Sequence, residues 1–365
     1  GEQPYFTLRW QEDEGELHIR IIPKEFDEYG NPVGELTLES VSMTFPWSCR
    51  GGREPEQIFM NGYQSWTDSH EHTIAEKEHT ISELASGMVQ RYFLDRYGDV
   101  NFTMKPKGAG QFHGFTYCYF RDGMQYRFLG SLSERDGFTI FYYNGSAQQM
   151  TIEKDCAGIK INSEWNAFDL VELDGTQDQV FDTYFEKMNI PKPSCAPMTG
   201  YTSWYNHYQN ITEKIIMDNL EHIHKMGQKY DVFQIDDGYQ TYVGDWLDVD
   251  EKKFPEGLEP VVSRIHEYGM KAGLWLSPFV CEKESECFRK HKDWLVKDEN
   301  GEPVCGGSNW STFYALNLEL PEVREHLRTV FRQILDVWKF DLVKLDFLYA
   351  VCLQPTEHKT RGQLM

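Results

Sequence analysis

Hydrophobic and polar positions follow two different periods along the chain. From Tyr5 to about Tyr184, apolar residues recur at alternate positions in short runs, as in Leu17-His18-Ile19-Arg20-Ile21-Ile22, Glu35-Leu36-Thr37-Leu38 and Phe138-Thr139-Ile140-Phe141-Tyr142-Tyr143. A period of two in β-branched and aromatic residues reads as strand. Asp136-Gly137, Asn144-Gly145 and Tyr29-Gly30-Asn31-Pro32 separate such runs as tight turns. Many short strands with turns between them predict an antiparallel β-sandwich over residues 1–190, with no helix before about Asp178.

Residues 191–197 form a stiff linker, since Pro191, Pro193 and Pro197 fall within seven residues. From 198 to 365 strands alternate with helices, the pattern of an α/β fold. Thr199–Trp204 is a first strand, Val232–Asp237 a second, Lys271–Leu276 a third and Leu342–Asp346 a fourth. Between them, Ile215, Ile216, Leu220 and Ile223 fall at helical spacing after a cap at Asn210 or Thr212. Two more helices run from Leu258 to Tyr268, stopped by Gly269, and from Pro321 to about Trp338. The expected architecture is a (β/α)8 TIM-type barrel of which this chain holds about the first four β/α units. A full barrel takes about 250 residues, and four parallel strands leave both sheet edges open. The chain is therefore expected to be a fragment of a longer enzyme.

The ends of the barrel strands carry the candidate chemistry. Lys344 and Asp346 lie two residues apart and so share a face of the fourth strand. A carboxylate beside a cation suits a nucleophile, and a rim ion pair is the plainer alternative. Asp236 and Asp237 close the second strand before Gly238; paired carboxylates grip vicinal hydroxyls, although Asp-Gly is also an ordinary turn. Trp204, Tyr205 and Trp275 sit at strand ends where a ring can stack on a sugar or fill the barrel core. The loop Asn61-Gly62-Tyr63-Gln64-Ser65-Trp66 reads as a sandwich turn or as a flap over a cleft. His70, His72 and His79 match no ligand spacing and read as a solvated loop, so no metal is expected.

Composition narrows the function classes. The formal net charge of −22 argues against nucleic acid and anionic membrane as partners. No run of roughly 18 or more apolar residues exists to span a membrane. The eight cysteines are scattered without a CxxC pair, which predicts reduced thiols in a cytoplasmic enzyme. The aromatic content of 15% suits both sugar clefts and β-rich cores.

Taken together, Tyr201-Thr202-Ser203-Trp204, Asp236-Asp237-Gly238-Tyr239-Gln240, Gly244-Asp245-Trp246-Leu247, Phe254-Pro255-Glu256-Gly257-Leu258, Gly269–Phe279 and Lys344-Leu345-Asp346 resemble glycoside hydrolase family 36. That family of α-galactosidases shares a clan with family 27. The resemblance runs in order from about Met198 to Asp346, and the N-terminal sandwich with its Gln64-Ser65-Trp66 loop agrees with it. It implies retaining hydrolysis of α-galactoside oligosaccharides without cofactor, with Asp346 as nucleophile and Lys344, Asp236 and Asp237 holding sugar hydroxyls. It also implies that Trp204 shapes the pocket and that Trp66 closes over the sugar, and it leaves room for homo-oligomers. The family's acid/base aspartate comes from a later strand that this chain does not reach. The alternatives are an α-N-acetylgalactosaminidase, a raffinose-synthase-like galactosyltransferase, or a sugar-binding fragment without catalysis.

Overall fold

Alternation in the first part of the chain produces antiparallel sheets, and the computed structural model describes residues 3–49, 51–64, 67, 69–81, 84, 86–97, 99, 108–227, 229–356 and 359–365. Two compact units divide the chain: Gly1–Gln90, Gly98–Lys192 and Gln354–Met365 make one, and Arg91–Tyr97 with Pro193–Leu353 make the other.

The first unit holds a seven-stranded sheet with the spatial order Phe6–Asp13, Glu16–Pro23, Trp165–Gly175, Gln125–Ser131, Tyr117–Asp122, Gln57–Met60 and Glu71–His72. A four-stranded sheet orders Val41–Pro46, Gln149–Lys154, Thr139–Asn144 and Gln111–Phe115. Ile58 and Phe120 of the first sheet join Phe141 and Ile152 of the second in one core, each almost fully buried. Strand Gln149–Lys154 buries every second residue, the consequence of its period-two sequence. The expectation of no helix before Asp178 is corrected by a short one at Ser86–Tyr92. It buries no residue and so leaves no apolar stripe to read. Helix Gln177–Lys187 starts on a capping box between Thr176 and Gln179.

In the second unit four parallel strands stand in chain order: β1 (Gly200–Thr202), β2 (Val232–Ile235), β3 (Lys271–Leu276) and β4 (Leu342–Leu345). Helix α1 (Glu213–Lys225) links β1 to β2, α2 (Glu259–Glu267) links β2 to β3, and α3 (Pro321–Arg332) precedes β4. Of the two expected caps for α1, Thr212 is the one used, its hydroxyl accepting the Ile215 N–H. β1 ends two residues earlier than expected, because Trp204–His207 turns into a four-residue helix. Between β3 and α3 lies a small antiparallel sheet of Val280–Glu282, Cys305–Gly307 and Phe313–Ala315 that the sequence pattern did not announce. Strands of three residues are too short to show a period.

Register decides what each face of the parallel sheet carries. Thr202 pairs with Gln234, Gln234 with Gly273, and Gly273 with Leu342. Two residues further on, the same face therefore presents Asp236, Trp275 and Lys344, and then Asp346. The opposite face carries Phe233, Ile235, Ala272, Leu274 and Leu276, all fully buried. Gly273 is needed for space: a Cβ there would meet Leu342 Cδ1 at 3.0 Å and Gln234 Cγ at 3.2 Å.

Gly273→Ala is expected to push Gln234 and Leu342 apart and cost about 1–3 kcal/mol, read as a lower urea midpoint. A second expectation concerns His113, which is 7% exposed with one ring nitrogen on Glu78 and the other 3.0 Å from Asp99. Burial alone would lower its pKa, but the hydrogen bonds to Asp99 and Glu78 outweigh it and raise the value above the ordinary range. Its stabilisation is then complete below the unfolded value near 6.5 and is lost as pH rises through the folded value. The melting-point difference between wild type and His113→Gln should accordingly shrink as pH is raised from 6 towards alkaline values.

Candidate active site

The cluster on the β1–β4 face is built around two buried carboxylates. Asp236 is 1% exposed, and its Oδ2 accepts the Thr202 hydroxyl at 3.2 Å, the Gln234 amide at 2.7 Å and Lys344 Nζ at 3.0 Å. Its other oxygen takes the Asp237 N–H at 2.9 Å, and its own N–H donates to Ser203 Oγ. Asp237 is 2% exposed; it accepts Gln240 Nε2 at 2.6 Å, Gln209 Nε2 at 2.7 Å and Trp310 Nε1 at 2.8 Å. Neighbouring residues would leave a straight strand on opposite sides, but the chain turns at Gly238, whose φ is +119°. A Cβ at Gly238 would lie 2.6 Å from the Gln209 carbonyl oxygen, so glycine alone fits this turn. Lys253 Nζ then ties the Gly238 and Gln209 carbonyls together.

Asp346 is half-buried just past β4. Trp275 Nε1 donates to its Oδ2 at 3.1 Å and the Phe347 N–H to its Oδ1 at 2.9 Å, so both oxygens are oriented by N–H donors. Lys344, expected beside Asp346, reaches instead across β3 to Asp236, its ion-pair partner among the described residues. A carboxylate buried as deeply as Asp236 calls for a countercharge, whereas the more exposed Asp346 has less need of one.

The aromatic candidates separate. Trp275 is 2% exposed, its ring edge-on to Trp246 at 5.8 Å, so it holds Asp346 rather than offering an open stacking face. Trp204 packs edge-on against Tyr208 at 5.2 Å, and Tyr205 is exposed on the same short helix. Among the described residues neither hydrogen-bonds a carboxylate of the cluster. Trp66 lies outside the described residues.

Sequence reasoning missed Trp310, Gln209 and Glu282, and it quoted Gln240 within a motif without giving it a role. Trp310 comes from the unannounced antiparallel insertion, with φ +56°, and its ring lies 5.0 Å from Phe347 and 6.1 Å from Trp275. Phe347 also has a left-handed φ, +53°. Such backbone costs a non-glycine residue on the order of 1 kcal/mol, and here it aims the Trp310 and Phe347 donors at the two carboxylates. Glu282, 7% exposed, accepts the Val243 N–H at 2.8 Å and the Ser311 hydroxyl at 2.6 Å, fastening the loop that carries Trp310. Helix Glu286–Lys290 is capped by Ser285, whose side chain accepts the Phe288 N–H, and Asp245 accepts the Glu286 and Cys287 N–H groups at the same end. Only the Trp-rich composition of 204–310 pointed towards this arrangement.

Residues 197–362 match the melibiase family model. An α-galactosidase of Escherichia coli is 30% identical over 168 residues, which cover 44% of this chain and 23% of the relative. An enzyme of Flavonifractor plautii named A type blood α-D-galactosamine galactosaminidase is 30% identical over 184 residues, covering 46% of the chain and 17% of the relative. The structure of the Thermus thermophilus α-galactosidase in complex with p-nitrophenyl α-D-galactopyranoside superposes with a TM-score of 0.66 and 26% identity, over 95% of this chain and 65% of that one. The matched stretch thus spans under a quarter of the curated relatives' length.

Trp310→Phe keeps the ring and deletes the donor to Asp237. It is expected to cost roughly 1.5–3 kcal/mol in denaturant unfolding, the range for hydrogen bonds to charged groups. Combined with Asp237→Asn, the loss should be less than additive.

Proposed function

Over residues 197–362 the chain belongs to the GH36 α-galactosidase (melibiase) family, and from that premise we propose that it forms the nucleophile-bearing part of a retaining glycoside hydrolase for terminal α-galactosides. The observation that carries this reading is Asp346, a carboxylate at a strand end with both oxygens aimed by Trp275 and Phe347. Fixed orientation is what an attacking oxygen needs: it removes rotational freedom before the reaction rather than during it. We read the first unit as a β-sandwich and the parallel sheet as the first four units of a (β/α)8 barrel. Strands in consecutive order, with a helix between each pair, support this.

In the proposed reaction an Asp346 oxygen attacks the anomeric carbon, the glycosidic bond breaks, and the leaving oxygen takes a proton from a second carboxyl group. Water then cleaves the glycosyl ester, with that second group acting as base. Lys344 and Asp236 hold neighbouring sugar hydroxyls, each hydroxyl taking over a hydrogen bond that a protein donor makes in the structure. Asp237, Gln209 and Trp310 hold another edge of the ring. The two groups must stand about 5–5.5 Å apart in a retaining enzyme. Asp236 and Asp237 are not assigned as the acid, because each is ringed by donors, the surroundings of an acceptor. We assign that role to a carboxyl group outside this cluster. The relatives include both a galactosidase and a galactosaminidase, so turnover of the two aryl glycosides is the comparison that sets the sugar class.

A fluorinated α-galactosyl donor should label Asp346 in peptide mapping, and Asp346→Asn should abolish labelling and lower turnover by at least about 10³-fold. Label on another side chain would refute the assignment. An aryl α-galactoside whose leaving group needs no proton should still give a burst of aryl alcohol with this chain, enhanced by azide; a pure binder would give none.

A further inference from the structure

The short strand Glu71–His72 closes the seven-stranded sheet at its edge and alternates like any other strand. Glu71 turns to one side, where Arg121 Nε donates to it at 2.7 Å and Tyr119 Oη at 3.2 Å. His70 and His72, two residues apart, are left on the other side with their ring centroids 3.8 Å apart at 49°. The chain then turns, the Glu76 N–H donating to the Thr73 carbonyl at 3.1 Å while the Glu76 carboxylate accepts the Thr73 N–H. That turn brings Glu76 back to the two imidazoles, so that one donor atom from each of the three residues lies within 4.8 Å of the others. His79, the third histidine of the stretch, is not part of this group.

We propose that His70, His72 and Glu76 form a binding site for one borderline-soft divalent cation of the zinc type. Two imidazoles and one carboxylate are a recognised zinc set with a fourth position left for water. Magnesium and calcium prefer all-oxygen shells, so the imidazoles select against them. Tetrahedral zinc with bonds of about 2.0–2.1 Å needs donors about 3.3 Å apart, so the group closes by small side-chain rotations. His72 is preset for this: it is 9% exposed, and its ring stacks on Phe112 at 4.8 Å and 26°. Bound there, the cation cross-links the sheet's edge strand to the following turn.

The test is zinc titration of the full chain by calorimetry and by thermal melting, for wild type, His70→Ala and Glu76→Gln. Both substituted side chains are exposed, so the metal-free variants should melt close to wild type. The expected result is one equivalent of zinc bound by wild type with a raised melting temperature. Affinity should fall at least about tenfold in each variant, since even residues behind a metal's ligands cost that much. Magnesium should produce no shift. Zinc bound equally by wild type and both variants would belong to other groups, such as the exposed Cys195, and would overturn the proposal, as would no binding.

Discussion

The charge on Asp236 is the constraint around which the parallel sheet is arranged. A carboxylate 1% exposed must be matched by donors and a cation, or it could not remain inside the fold. The match comes from three strands at once: Thr202 from β1, Gln234 from β2 and Lys344 from β4. β3 lies between β2 and β4, so the Lys344–Asp236 pair spans it and depends on the register of every strand in the sheet. A slip of one residue would turn the lysine to the other face and leave the carboxylate alone.

With Lys344 taken up by that pair, Asp346 has no cation partner among the described residues and is aimed by neutral N–H donors instead. Trp275 and Trp310 act alike here, the first carrying a buried ring and the second a partly buried one, and each ends its single N–H on a carboxylate. Indole is suited to this because its bulk fixes the ring by packing while its one donor has no rotational freedom. The rings of Trp246, Trp275, Trp310, Phe313 and Phe347 touch in series, so the orientation of both acids is set by apolar contact. The aromatic-rich composition in this half of the chain thus serves to aim acids.

The proposed cation site lies in the other unit and rests on different physics. There the strand alternation that elsewhere separates core from solvent sorts an acidic residue to an arginine and two histidines to a glutamate. Among the described residues no helix is long and apolar enough to cross a membrane, and all eight cysteines are free thiols.

Much of this was legible in the chain itself. Period-two and helical spacing marked the change from antiparallel to parallel sheet, and the strand ends marked Asp236, Asp237, Lys344 and Asp346, because those signals are local and repeat within a few residues. Three things were decided only in the tertiary structure. The partner of Lys344 depends on which strand lies two places away, and i, i+2 spacing along one strand carries no such information. The donors to Asp237 come from residues 209, 240 and 310, brought together by a glycine turn and a three-stranded insertion with no readable period. Glu76 joins His70 and His72 through a backbone turn and not through any ligand spacing. Sequence determined which residues sit at the ends of strands; three-dimensional closure decided which of them meet, because contacts between distant residues depend on register and on loops whose conformation local propensity does not set.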